Sequence, residues 1–332
     1  MATPKTLQAA IRYYSDEQTC IDTVASLRWA DGKATCPACG KQDHYYLKTQ
    51  KRWKCKECYK QFSVKLGTIF EDSPITLDKW LIALWMLVNC RNGVSSYEVA
   101  RDLDITQKSA WFVMHRLRTA LRDGSVTKLG RGDGGEVEID ETFVGGKMTS
   151  MHRSRKEAIQ KKAASIPKWK NTDRYPGKTA VMGILDREQR KVRAAVVPNI
   201  KRETLQAAIL NQVEYGSKIY SDQAVPYDGL AQKYAHEVVN HVTEYVRGQV
   251  HTNGLENFWS LLKRGLRGTY VAVEPFHLDR YVDEQAFRFN NRKDAEGKKM
   301  SDADRFNAAL SRIGGKRLTY SELTGKAWQE PF

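Results

Sequence analysis

The sequence predicts a multidomain α/β chain: N-terminal helices with a small metal-binding ribbon, then an all-helical stretch, then a sheet with helices packed on it. Three observations predict it. Two CxxC pairs stand close together, with fifteen residues between Cys39 and Cys55. Residues 75–123 carry apolar side chains at helical spacing, without strand-like alternation. From residue 137 onward, short apolar runs bounded by turn residues alternate with amphipathic helices, the pattern of helices laid on a sheet.

Composition sets the outer limits. A chain of 332 residues holds two or three domains, and 41% hydrophobic content can bury real cores. Lys+Arg number 54 against 39 Asp+Glu, a net charge of +15, which favours a polyanionic partner, either nucleic acid or an anionic membrane surface. The longest apolar run, residues 80–88, is too short to span a bilayer, so no membrane span is expected. The first five residues lack the apolar core of a signal peptide. A cytoplasmic, nucleoid-associated location is the expectation. In that reducing compartment, paired cysteines point to metal rather than disulfides. Cys20 and Cys90 lie outside the pairs and read as ordinary thiols.

Residues 1–30 read as amphipathic helix, with Ile11, Tyr14, Ile21, Val24, Leu27 and Trp29 inward. Next, Cys36-Pro37-Ala38-Cys39-Gly40 and Cys55-Lys56-Glu57-Cys58 form two tight knuckles, brought together by a β-hairpin. Four thiolates with no open position describe a structural tetrahedral Zn²⁺ site. So small a module has little core, and metal binding supplies much of its folding energy. Lys41, Lys48, Lys51, Arg52, Lys54, Lys56 and Lys60 surround it, which suits an adaptor for DNA or protein rather than a catalyst.

In residues 75–123 an apolar helix is followed by Ser95-Ser96-Tyr97-Glu98, a capping-type start. Val99, Ala100 and Leu103 give a helix face, Asp104-Ile105-Thr106 a turn, and residues 107–121 a longer helix. This resembles a helix-turn-helix, with Lys108, Ser109, His115 and Arg116 expected to face DNA. The Gly-rich residues 124–135 read as a flexible linker. Residues 147–178 hold ten basic and two acidic side chains, net +8, and are expected to be ordered on a phosphate backbone.

Between these segments lies a short strand, Val137-Glu138-Ile139-Asp140-Glu141-Thr142-Phe143-Val144. Glu138, Asp140 and Thr142 share one of its faces. A carboxylate within a half-buried strand is costly unless it is paired or holds a cation. Strands follow at 180–185, 192–197, 217–222 and 236–240, with helices at 202–213, 253–264 and 277–290. Three acids then line up: Asp140 in mid-strand, Asp222 at a strand end and Glu256 on a helix. Their order matches a ribonuclease-H-like arrangement: a central first strand, a later neighbouring strand and a closing helix. Phosphodiester chemistry needs charge neutralisation and an activated oxygen, which two Mg²⁺ ions about 3.5–4 Å apart supply. Mg²⁺ takes carboxylate oxygens and keeps its other positions for water and phosphate. Asp140 would bridge the ions, and Asp222 and Glu256 would take one each. Asn253 is the alternative third ligand. Lys263 and Arg264 read as phosphate contacts, and His251 as a helix-entry or DNA contact.

Arg28-Trp29, the four cysteines and Gln61-Phe62-Ser63 lie in the order of the ISXO-like DDE transposases of bacterial insertion sequences. So do Gly67-Thr68-Ile69-Phe70, Glu138 to Glu141, Gly145-Gly146-Lys147 and Tyr220-Ser221-Asp222. His251-Thr252-Asn253, Lys263-Arg264 and Arg288-Phe289-Asn290-Asn291-Arg292 complete the set. The chain resembles that family over nearly all of residues 20–292. The resemblance implies residues 1–70 as N-terminal helices and zinc ribbon and 75–123 as a DNA-binding region. It implies 136–292 as a catalytic domain carrying the 147–178 insert, and 293–332 as a tail. It implies Mg²⁺ or Mn²⁺ at the catalytic acids, double-stranded DNA as element ends and target, and a homodimer or higher oligomer on DNA. In such proteins the third catalytic position varies among Glu, Asn and His, and a downstream Lys belongs to the signature. Two other readings of the same residues are a DNA-binding regulator without catalysis and a hydrolase of RNA–DNA hybrids. The ribbon speaks against the latter.

Overall fold

Side-chain caps and turns divide the chain, in the computed structural model, into eleven α-helices and eight strands among the described residues. The described residues are 4–29, 31–146, 152–164, 177–222, 227, 229–230, 233–239 and 251–325, with the backbone alone at 155, 162–164, 222, 238 and 239. The order begins α1 (Leu7–Tyr13), α2 (Glu17–Arg28), β1 (His44–Leu47), β2 (Arg52–Cys55), β3 (Gln61–Phe62), α3 (Leu77–Asn89), α4 (Ser96–Asp102) and α5 (Gln107–Leu121). It continues β4 (Glu136–Val144), α6 (Arg153–Ala164), β5 (Thr179–Asp186), β6 (Lys191–Val197), α7 (Arg202–Gln212), β7 (Lys218–Asp222) and β8 (Ala235–Val239). Last come α8 (Asn253–Gly265), a π-helical turn Leu266–Tyr270, α9 (Leu278–Asn290), α10 (Asp302–Leu310) and α11 (Tyr320–Leu323). No described helix is long and apolar enough to cross a membrane.

Two compact units share these elements. The first comprises Met1–Asp123, Arg267–Val271 and Asp283–Phe332. Its centre is α3, where every residue from Trp80 to Val88 is buried. Trp85 of α3 and Tyr14 both meet Phe306 of α10. Residues 293–332, expected as a tail, thus put Phe306, Ala309, Leu310 and Ile313 into the core. Of the inward positions expected in residues 1–30, Tyr14, Ile21, Val24 and Trp29 are buried, but Ile11 and Leu27 are exposed. The break between α1 and α2, where Asp16 caps the second helix, resets the helical phase. The capping box at Ser95 and Glu98 forms as expected and opens α4.

The first unit also buries an ionic cluster. Arg118 of α5 donates to Glu284 at 2.6 Å, Arg288 pairs with the same carboxylate, and Tyr270 donates its hydroxyl to it. Burial raises the Glu284 carboxyl, but Arg288 and Arg118 outweigh it and hold it below the usual range. A depressed folded value contributes stability that is fully present above about pH 4.5 and is lost as the pH falls through that value. Glu284→Gln would leave two buried guanidinium groups without their counter-charge. It should destabilise the unit by about 3–5 kcal/mol, read as a lower urea midpoint in tryptophan fluorescence at pH 7, with a smaller deficit near pH 3.

The second unit comprises Gly124–Leu266 and Ala272–Val282. Its sheet runs β6-β5-β4-β7-β8. β6, β5 and β4 are antiparallel neighbours, while β4, β7 and β8 run parallel. Alternation along β4 divides its side chains between two helices. Val137 and Ile139 join Leu205 and Ile209 of α7 in one core. Glu138 and Asp140 turn to the other face, where α8 lies. Residues 124–135, expected as a flexible linker, are tied into this unit. Leu129 is buried and exchanges backbone hydrogen bonds with Gln212 and Glu214. A Cβ on Gly130 would meet the Ser217 hydroxyl at 2.4 Å, so the glycines there answer close packing as well as turning. Of the basic insert, α6 and residues 177–178 are described. The rest of that expectation lies outside the described residues.

Candidate active site and metal centre

The metal centre is built from two knuckles of one backbone shape. Cys36 N–H donates to Lys41 O, and Cys55 N–H donates to Lys60 O in the same way. The residue after each second cysteine has positive φ: Gly40 at 73° and Tyr59 at 58°. Glycine accepts that conformation without cost, whereas tyrosine does not, so Tyr59 is held there by the knuckle. The four sulfurs of Cys36, Cys39, Cys55 and Cys58 lie within 4.8 Å of one another. Cys36 is 3.6 Å from Cys58, and Cys39 is 3.5 Å from Cys55. Zn–S bonds of about 2.3 Å in a tetrahedron require sulfurs roughly 3.8 Å apart, so the set fits a structural Zn²⁺. Burial raises the Cys36 thiol, yet backbone N–H groups of Ala38 and Cys39 and the neighbouring sulfurs lower it, while neighbouring sulfurs raise that of Cys39, so the four share protons as one set. Below the knuckles, Trp53 stacks on Phe62, and Trp29 meets both edge-on. The purified chain should therefore carry one zinc by elemental analysis. Cys55→Ser should lose it and release the Trp53 environment, seen as a shift in tryptophan emission.

The second centre lies on the α8 face of the sheet. Thr252 precedes α8 but makes no side-chain cap. The cap comes from β4 instead, where Glu138 accepts the Leu255 N–H at 3.0 Å. Glu138 is 1% exposed, and its charge is answered by Arg187 Nε at 2.8 Å. Arg187 also donates to Glu136 at 3.2 Å, faces His251 Nδ1 at 3.1 Å, and lies over the Tyr220 ring. Burial raises the Glu136 carboxyl, but the Tyr220 hydroxyl at 2.7 Å and Arg187 hold it below the usual range. One turn further along α8, Trp259 Nε1–H donates to Asp140 Oδ2 at 2.9 Å. Asp140 Oδ1 accepts the Glu141 N–H at 2.8 Å.

Asp140 sits half-buried on the central strand. Glu138 pairs with Tyr220 across the parallel β4–β7 ladder. Two residues beyond that last pair, along each strand, are Asp140 and Asp222. The Asp222 side chain lies outside the described residues. Asn253 and Glu256 are exposed in the first turns of α8, Lys263 is half-buried and Arg264 is exposed. Glu256 and Lys263 stand three before and four after Trp259, so they flank the indole that reaches Asp140. Asn253 stands one turn before Glu256 on the same stripe of the helix. His251 lies just before α8, with its Nδ1 and carbonyl facing Arg187. Lys108 is exposed in the first turn of α5, near Tyr320.

The expectation that Arg116 and His115 face DNA is corrected. Arg116 is 3% exposed, donates to Glu71 O at 2.6 Å, and lies over Trp80 and Phe112. His115 is fully buried against Trp111. The middle of α5 is enclosed on all sides from residue 113 to 118, because its polar positions also meet packed elements. Glu138, Arg187, Trp259 and Gly183 were missed as site residues. Strand alternation marks Glu138, but nothing local marks the other three.

These features define a multidomain mixed helix–sheet protein with a cysteine cluster compatible with a zinc ribbon, and comparison with known proteins gives its family. Residues 133–290 match the ISXO2-like transposase domain, and residues 15–61 match the transposase zinc-ribbon domain. An uncharacterized protein in transposable element ISH50 of Halobacterium salinarum is 25% identical over 271 residues, covering 77% of this chain and 85% of that protein. An uncharacterized transposase-like protein of Haemophilus influenzae is 34% identical over 102 residues, covering 30% of this chain and 82% of that protein. A chain in the cryoEM structure of a simian T-cell lymphotropic virus intasome, in complex with PP2A regulatory subunit B56 gamma, is 13% identical. It overlaps 60% of this chain and 66% of that chain, at a TM-score of 0.26 too low to bear on fold. The chain belongs to the ISXO2-like transposase family, with a transposase zinc ribbon before its DDE domain.

Proposed function

We propose that this chain is a DDE-type DNA transposase that cuts the ends of an insertion sequence and joins the freed 3′-hydroxyls to target DNA. The catalytic unit is read as ribonuclease-H-like. The observation that carries this reading is the parallel β4–β7 pairing, whose last register pair, Glu138 with Tyr220, lies two residues before Asp140 and Asp222 on their strands, with Trp259 of α8 on Asp140. The strand order supports it as well: the first strand is central, with an antiparallel meander on one side and parallel strands on the other.

Asp140 is an oriented hard carboxylate at the edge of a buried face, which suits Mg²⁺ or Mn²⁺. Asp140, Asp222 and Glu256 would hold such ions, which would supply charge neutralisation at the scissile phosphate and an activated oxygen. Glu256 is preferred to Asn253 as the third ligand because it carries a full charge. Lys263, one turn beyond Trp259, holds a substrate phosphate. Arg264 and the first turn of α5, with Lys108, supply further backbone contacts on double-stranded DNA, as the leading turn of a recognition helix does. Joining two element ends calls for at least two copies of the chain. A cytoplasmic, nucleoid-associated site of action follows from the substrate.

The test is strand cleavage of DNA bearing the element's terminal inverted repeats, with the zinc-loaded full chain and Mg²⁺ or Mn²⁺. Losing the Asp140 carboxylate would remove several kcal/mol of transition-state stabilisation. Asp140→Ala should thus cut the rate on the order of a thousandfold or more, while a mobility shift on the same DNA is unchanged. A wild-type chain that binds those ends and never cleaves them would instead be a regulator.

A further inference from the structure

Trp259 is 4% exposed, and a buried indole needs a partner for its N–H. A backbone carbonyl would serve. The partner here is Oδ2 of Asp140, a half-exposed carboxylate on the central strand. The sheet is shaped to admit that contact. Gly183 is the register partner of Asp140 on β5. A Cβ at Gly183 would stand 2.7 and 2.8 Å from Cζ2 and Cη2 of Trp259. Gly183 does not have positive φ, so space rather than backbone conformation calls for glycine. The rotation of α8 is set separately, one turn earlier, by Glu138 on the Leu255 N–H. Gly254 closes that contact, since a Cβ there would meet Leu185 at 2.2 Å and Glu138 at 2.8 Å.

Two fixed donors therefore hold the Asp140 carboxylate: the indole on Oδ2 and the Glu141 N–H on Oδ1. A carboxylate held by both oxygens cannot rotate freely, so its remaining lone pairs point in set directions. Outer partners of this kind spare a metal ligand the cost of ordering itself. We propose that Trp259 is a positioning residue for Asp140, presenting its carboxylate to a divalent cation, and that Gly183 is the slot that lets the indole reach it. The inference rests on the reading of Asp140 as a metal ligand.

The experiment measures Mn²⁺ binding by the electron paramagnetic resonance of free Mn²⁺, with the zinc-loaded full chain; d¹⁰ Zn²⁺ gives no signal. Trp259→Phe keeps the ring and removes the N–H. Benzothienylalanine at position 259 exchanges the N–H for sulfur at nearly constant shape. Gly183→Ala keeps the N–H and displaces the indole. Each should weaken Mn²⁺ binding about tenfold or more. The Mn²⁺ concentration for half-maximal cleavage should rise by the same factor, with the rate at saturating Mn²⁺ kept within about twofold. A purely structural tryptophan would leave Mn²⁺ affinity unchanged in the folded variants. If Asp140→Ala abolishes Mn²⁺ binding but Trp259→Phe and the sulfur analogue leave it at the wild-type value, the positioning role is overturned and the reading of Asp140 stands. If Asp140→Ala leaves Mn²⁺ binding intact, both fall together.

Discussion

The first turn of α8 has no cap of its own, and β4 supplies one. That single contact, Glu138 on the Leu255 N–H, constrains the rest of the second unit. It places a carboxylate where water does not reach, which is tolerable because Arg187 pairs with it and the helix N-terminus carries partial positive charge. Arg187 in turn gathers Glu136, Tyr220 and the carbonyl of His251, so the turn after β5, the strand β7 and the entry to α8 are all held to one guanidinium. With α8 fixed in rotation, Trp259 meets Asp140, and Glu256 and Lys263 fall on either side of the indole.

Much of this was legible in the chain before its fold was known, and the reasons differ by residue. The four cysteines are readable because tetrahedral zinc demands them at short spacing. Asp140 is readable because alternation assigns it a face and its charge demands a purpose. Trp259 is not, because on a helix it looks like any other apolar position; only its neighbour 119 residues earlier gives its N–H a meaning. Arg187 reads as a turn residue for the same reason. Arg116 misleads in the opposite way. A basic side chain on a helix after a turn suggests DNA, yet its guanidinium lies over Trp80 and Phe112. Propensity and charge describe a segment alone, whereas burial is decided by what packs on it.

In the first unit the ribbon and the helices divide labour along similar lines. The ribbon stacks Trp53 on Phe62 beneath the knuckles, while Tyr45 and Tyr59 stay exposed. The helices are organised around α3, which is apolar on every side and so must be surrounded. The C-terminal helix α10 closes that surround, which explains why its Phe306 is fully buried in a stretch that looks polar in sequence.

The parallel pairing of β4 with β7 has one further consequence. Parallel neighbours need a crossover, and here β5, β6 and α7 intervene before β7 can join. α8 then docks on a strand 117 residues upstream of Leu255. Contacts of such long range are slow to form and come together late in folding. A nascent chain ending before residue 251 would expose Glu138 without its helix and Asp140 without its indole. Synthesis thus withholds the finished α8 face of the sheet until α8 itself has emerged, and a product stopped before it lacks that face.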